Sequence, residues 1–116
     1  MAELFKRLHY YVDPIKTNEN KGLDLVIRKG KQVICVRCET SSPENLYPLQ
    51  ALYGSINYYR GNQSMVVANG VFDEECRIFA RHNQIKLIDR NQLISMIRQV
   101  TKNLKENKEP LGAQEI

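Results

Sequence analysis

Nowhere in these 116 residues does an apolar run approach the roughly 18 unbroken positions that a membrane-crossing helix needs, because charged or amide side chains interrupt every such stretch. Proline and glycine are scarce, at four and six, so the chain lacks the composition of a disordered, collagen-like or fibrous protein. The opening Met1-Ala2-Glu3-Leu4-Phe5-Lys6-Arg7 is too charged, and its apolar part too short, for a secretory signal. The cytoplasm is therefore the expected compartment, with no membrane partner. No internal repeat or low-complexity block occurs. Histidine is limited to His9 and His82, and neither has a Ser, Cys or Asp at a triad spacing, which argues against nucleophilic hydrolase chemistry. What is left, with 42% hydrophobic and 26% charged residues, suits one ordinary domain and is too short for two independent cores.

Cysteine is also sparse, at three residues, although Cys35-Val36-Arg37-Cys38 has the spacing of redox and zinc motifs. Context defeats that reading. The segment from Lys31 to Cys38 has the β-branched content of a strand, where residues three apart point to opposite faces. The two sulfurs would then lie about 10 Å apart, too far to bridge or to share a metal. Cys76 belongs to a separate helical segment and supplies no second ligand pair.

Positive charge is in modest excess, 17 Lys and Arg against 13 Asp and Glu, for a formal charge of +4. Its distribution is more informative than its total. Lys16, Lys21, Arg28, Lys29 and Lys31 fall in a stretch whose only acids are Glu19 and Asp24, which predicts a basic edge suited to phosphates.

Leu4, Phe5 and Leu8 stand at helical spacing and predict a short helix over 2–9, followed by a strand at Tyr10-Tyr11-Val12. Residues 16–22 read as a loop. Leu23 to Arg28 and Lys31 to Glu39 read as strands of a hairpin turning at Lys29-Gly30. Leu46, Leu49, Leu52, Tyr53, Ile56 and Tyr59 carry the rhythm of a helix on a sheet, and Ser64-Met65-Val66-Val67-Ala68 that of a parallel strand buried on both faces. Asp73 is placed as the N-cap of a helix reaching about His82, and Ile85 to Ile88 form a last strand. Asp89 and Gln92 make a capping box for a closing helix with the stripe Leu93, Ile97, Val100 and Leu104. The expected fold is α/β, a mixed sheet flanked by helices in the order αβββαβαβα, with a domain over 1–104 and a flexible tail over 105–116.

Asp24 is the residue that asks for chemistry. It interrupts Leu23-Asp24-Leu25-Val26-Ile27, and a carboxylate inside a central strand costs several kcal/mol, on the order of the transfer penalty for a buried polar group, unless it is paired or bound to metal. Arg37 and Glu39, two positions apart and so on one face of the next strand, are the candidates to meet it. Two readings stay open on the residues alone: a site in which Asp24, Arg37 and Glu39 converge, and an Asp24–Arg37 ion pair with Glu39 solvated at the strand end.

The blocks Gly22-Leu23-Asp24-Leu25-Val26-Ile27, Val33 to Glu39, Gln50-Ala51-Leu52-Tyr53-Gly54, Met65 to Phe72 and Ile85-Lys86-Leu87-Ile88-Asp89, in that order and spacing, resemble the Mrr-type restriction endonuclease family of the PD-(D/E)xK nucleases. The resemblance covers about residues 2–100 and implies a restriction endonuclease-like core. It implies that Asp24 matches the first metal-binding carboxylate, on a Gly-x-Asp strand. The next strand of that family carries a Gln or Glu, one intervening residue and a Lys, where the metal polarises the scissile phosphate and the Lys serves the attacking water. Here Arg37 stands at the Gln or Glu position and Glu39 at the Lys position. A first-helix Glu expected of the family lies before the residues that match Ala2-Glu3-Leu4, and Glu3 replaces it only if that helix is shifted. Gln50 matches a glutamine that related nucleases place beside the site.

The resemblance therefore implies a protein acting on or binding DNA, with metal-dependent phosphodiester hydrolysis impaired or lost. Were it active, Mg²⁺ would sit on Asp24 and Glu39, with Arg37 as the cation and Gln50 alongside, while Lys16, Lys21, Arg28, Lys29 and Lys31 contact phosphates. The alternative is a non-catalytic interaction or regulatory subunit without nucleic acid, and a homodimer is left open.

Overall fold

The computed structural model describes residues 1–15 and 22–114, so Lys16 and Lys21 lie outside the described residues. Strands β1 (Tyr11–Pro14), β2 (Leu25–Lys29), β3 (Gln32–Glu39), β4 (Gln63–Ala68) and β5 (Ile85–Ile88) alternate with helices α1 (Ala2–Arg7), α2 (Tyr47–Ser55), α3 (Glu74–His82) and α4 (Arg90–Gln114) in the expected order. They form one five-stranded sheet in the order β1-β2-β3-β4-β5. β1, β2 and β3 pair antiparallel, and β3, β4 and β5 pair parallel. The connections through α2 and α3 are the crossovers that parallel pairing requires.

Alternation along the strands divides the apolar residues between the two faces. Val26, Cys35 and Val66 pack with Leu49 and Leu52 of α2 and Cys76 and Ala80 of α3. Leu25, Ile27, Ile34, Val36 and Val67 pack with Phe5 of α1 and Leu93 of α4. β4 is buried from Ser64 to Ala68, as befits a strand covered on both faces. The same alternation settles the cysteines: Cys35 belongs to the α2/α3 face and Cys38 packs against the α1/α4 face, and both are free thiols.

The hairpin turns through Gly30-Lys31, with Lys29 opposite Gln32. Gly30 at φ 59° occupies the first central position, where a two-residue II′ turn requires a residue free to adopt positive φ. Asp89 and Gln92 cap α4 reciprocally, each side chain accepting the other's backbone N–H. Two expectations are corrected. Asp24 is not inside a strand, since β2 begins one residue later, at Leu25. The α4 stripe is only half covered: Leu93 and Val100 are buried, whereas Ile97 and Leu104 are each 47% exposed. The six-residue α1 is too short to roof them.

Asp73 caps α3 by accepting the Cys76 N–H at 2.8 Å, and that hydrogen bond lowers its carboxyl pKa. A depressed folded pKa means the stabilisation is present above the unfolded value, about 3.9, and is lost as pH falls through the folded value. Asp73→Ala is therefore expected to lower the melting temperature by a few degrees at pH 7, with the difference vanishing in strongly acid buffer and Asp73→Ser recovering most of it.

Candidate functional site

The sheet has two ends of different character. β3, β4 and β5 all run the same way, so Glu39, Asn69 and Asp89 come at their carboxyl ends, while the Gly30-Lys31 turn, Asn62 and Gln84 come at their amino ends. In doubly wound α/β sheets the commonest place for a ligand is beyond the carboxyl ends. Asp24, Arg37 and Glu39 are at that end.

Pairing between β2 and β3 stops at Leu25 opposite Val36, and beyond it two side chains take over the ladder. The Asp24 carboxylate accepts the Cys38 backbone N–H at 2.7 Å, and Nη1 of Arg37 donates to the Gly22 carbonyl at 3.0 Å. Asp24 keeps its own backbone bonds, donating to Val36 and accepting from Ile15. Arg37 then leans on Glu39, with Nε 3.4 Å from Oε2, the two side chains being only 19% and 23% exposed. The approach is electrostatic, because Nε is buried and not aligned for a hydrogen bond. The Tyr47 ring of α2 lies 5.5 Å from the guanidinium carbon and closes its other side. Glu39 is anchored in turn by its carbonyl, which accepts the Asn69 N–H.

Between these groups sits Cys38. Burial above all, then the Asp24 and Glu39 carboxylates, push its thiol up to about 12, with the Met1 ammonium opposing. The thiol stays protonated at neutral pH and is no nucleophile. Both carboxylates thus act on one point of β3, although the ion pair that forms joins Arg37 to Glu39, in place of the Asp24–Arg37 pair weighed from the sequence.

The other expected residues lie elsewhere. Gln50 is exposed on α2. Glu3 pairs with Arg7 on its own helix at 3.2 Å. Arg28 pairs with Asp13 at 3.7 Å, and Lys29 donates to the Leu8 carbonyl and lies over the Tyr10 ring. With Lys31 these basic residues mark the turn end of the hairpin, a strand's length from Asp24. Gly22, Cys38 and Tyr47 were not anticipated as site residues. Only Gly22 carried a signal, as the glycine two positions before the acid.

A divalent ion does not fit this arrangement. Oδ2 of Asp24 is committed to a backbone donor, Glu39 is neutralised by a guanidinium that never gives up its charge, and among the described residues no three His, Cys, Asp or Glu side chains are grouped to hold a metal. The arrangement braces two strand ends instead. Asp24→Ala should leave the Cys38 N–H without an acceptor and cost about 2 kcal/mol in urea unfolding, whereas Asp24→Asn, which keeps a carbonyl oxygen there, should cost less than half of that.

Comparison with known proteins agrees with the fold. A family model described as a restriction endonuclease, Mrr_cat, matches residues 1–97. No curated protein matches the chain. Among solved structures, the crystal structure of a protein of unknown function, AF1548, superposes with a TM-score of 0.61 at 16% identity, over 76% of this chain. This chain spans about half the length of that protein, 53%, and at such identity the likeness is one of fold.

Proposed function

Because the chain belongs to the Mrr_cat restriction endonuclease family, we propose that it is a nuclease-fold protein that binds DNA without cutting it, its metal-dependent hydrolysis lost. The observation that carries the reading is the ion pair between Arg37 and Glu39. A restriction endonuclease site gathers carboxylates so that their charge holds a cation against the phosphate. Here the chain supplies its own fixed cation. A guanidinium beside Glu39 competes with Mg²⁺ for its charge and accepts no proton from water, so it serves as neither metal nor base.

DNA contact falls to the basic residues of the hairpin, Arg28, Lys29 and Lys31, together with Lys16 and Lys21 before it. Contacts of this kind release counterions, so affinity should fall by roughly 0.9 log unit per log unit of salt for each phosphate engaged. Lys29→Ala with Lys31→Ala should flatten the slope by about two contacts and weaken all sequences equally.

Supercoiled plasmid incubated with Mg²⁺ or Mn²⁺ should stay intact, and a labelled duplex should shift at low salt. Nicking that disappears in Asp24→Asn would show an active nuclease and overturn the loss of cleavage. Absence of any shift with duplex or single strands would remove DNA from the function and leave the interaction subunit.

A further inference from the structure

The charges of this chain are sorted by strand end. Segments leading into the parallel strands carry cations: Lys29 and Lys31 before β3, Arg60 before β4, and Arg81 before β5. Segments leaving them carry the acids: Glu39 and Glu44 after β3, Asp73, Glu74 and Glu75 after β4, and Asp89 after β5. Arg37, Arg77 and Arg90 depart from the pattern, but at that end they are outnumbered by Asp24, Glu39, Glu44, Asp73, Glu74, Glu75 and Asp89. A polyanion is therefore drawn to the amino ends of these strands and repelled from the carboxyl ends, where Asp24 and Glu39 lie.

The attractive end also holds a cleft of about 310 Å³, lined by Tyr53, Gln63, His82, Gln84 and the committed amides Asn62 and Asn83. Asn62 spends both ends of its amide on the hairpin, accepting from the Val33 N–H and donating to the Lys31 carbonyl, which fixes the basic turn against the cleft. Asn83 donates to the Phe79 carbonyl. Those two shape the walls. Gln63, His82 and Gln84 are exposed, with side-chain donors and acceptors to offer. Tyr53 is 49% exposed, and its ring is steadied edge-on by Phe79 at 6.4 Å. Arg60 and Gln84, at either rim, both hold φ 56°, a conformation that a non-glycine residue adopts only where the surroundings impose it.

We infer that this cleft receives one unpaired base of a DNA strand whose phosphates run along Lys31, Arg60 and Arg81. The inference rests on the DNA-binding reading above and places the strand at the end of the sheet opposite Asp24. Its volume is at the small end of ligand pockets, enough for a single base. An aromatic platform with amide donors and acceptors around it, rimmed by cations, is the chemistry by which single strands are held: stacking on the ring, edge contacts to the amides and charge along the backbone. A duplex keeps its bases stacked and paired, and meets only the cations.

The test measures fluorescence anisotropy of the full chain with labelled oligothymidine, an abasic strand of equal length and a blunt duplex. Tyr53→Leu keeps the contact with Phe79 and removes the platform, and Gln84→Gly suits the local backbone and removes the amide. Each is expected to weaken oligothymidine binding about tenfold while leaving the abasic strand and the duplex within twofold. Arg60→Gln should weaken all three probes. If the wild-type chain binds the duplex but Tyr53→Leu and Gln84→Gly bind oligothymidine as it does, the base pocket is overturned and the DNA-binding reading stands. If the wild type binds none of the probes at low salt, both fall.

Discussion

Gly22→Ala is expected to destabilise the chain by more than about 3 kcal/mol, enough to remove a large part of the 5–15 kcal/mol that typically separates folded from unfolded domains. Gly22 adopts φ 100°, where L side chains are strained, and a Cβ built there would collide with the Ala51 carbonyl oxygen and lie 2.7 Å from the Ser55 hydroxyl. Neither neighbour yields easily. Ala51 is backbone of α2, and Ser55 is buried and donates to that same carbonyl at 2.8 Å. Moving Gly22 away instead would pull its carbonyl from Arg37 and with it the brace at the strand end. Gly30→Ala is the control, because Gly30 also has positive φ but nothing within 4 Å of the added carbon. It should cost only about 1 kcal/mol, the price of the backbone conformation alone. Urea unfolding of both variants checks the contrast; equal losses would mean that the approach to α2 is irrelevant.

That glycine shows where reading a sequence stops. Strand alternation through Leu25, Val26 and Ile27, the apolar run Met65 to Ala68 of β4, the Asp73 cap and the Asp89–Gln92 box were all legible, because each depends on residues within one turn or one strand of each other. Asp24 was legible as an anomaly, but its partner was not. A side chain that bonds a backbone N–H leaves no trace in the partner's identity, and Cys38 looks like any small apolar residue. Arg37 had two carboxylates within reach, and only the packing of Tyr47 against it and the approach of Gly22 decided its direction.

Distance along the chain is a poor guide in another way. Asp24 and the cluster Arg28, Lys29 and Lys31 are near neighbours in sequence but not in the fold. A strand advances about 3.3 Å per residue, so five residues of β2 carry the cluster some 15 Å from Asp24, to the other end of the sheet. A helix would have kept them within a turn or two. The exposed Ile97 and Leu104 have a similar cause: periodicity predicts which residues share a helix face, and the length of the neighbouring helix decides how much of that face is covered.

Arg37→Gln should turn a chain that does not take up Mn²⁺ at millimolar concentration into one that does. The substitution removes a fixed positive charge 3.4 Å from Glu39 and places there an amide, the residue type that the nuclease resemblance puts at this position. Two unit charges about 4 Å apart interact by about 4 kcal/mol at an effective dielectric near 20. Partial exposure of the pair reduces that figure, yet a third of it, about 1.4 kcal/mol, already changes ion affinity tenfold. The freed Glu39 and the nearby Asp24 then present two negative charges to the ion without a competing guanidinium. Calorimetric titration with MnCl₂ reads the effect directly, and Arg37→Lys supplies the comparison: it keeps the charge, loses the planar fork and should remain without metal. Equal Mn²⁺ binding by the wild type and Arg37→Gln would show that the Arg37–Glu39 pair does not exclude the ion. Binding by Arg37→Lys as tight as by Arg37→Gln would show that geometry rather than charge had kept the metal out.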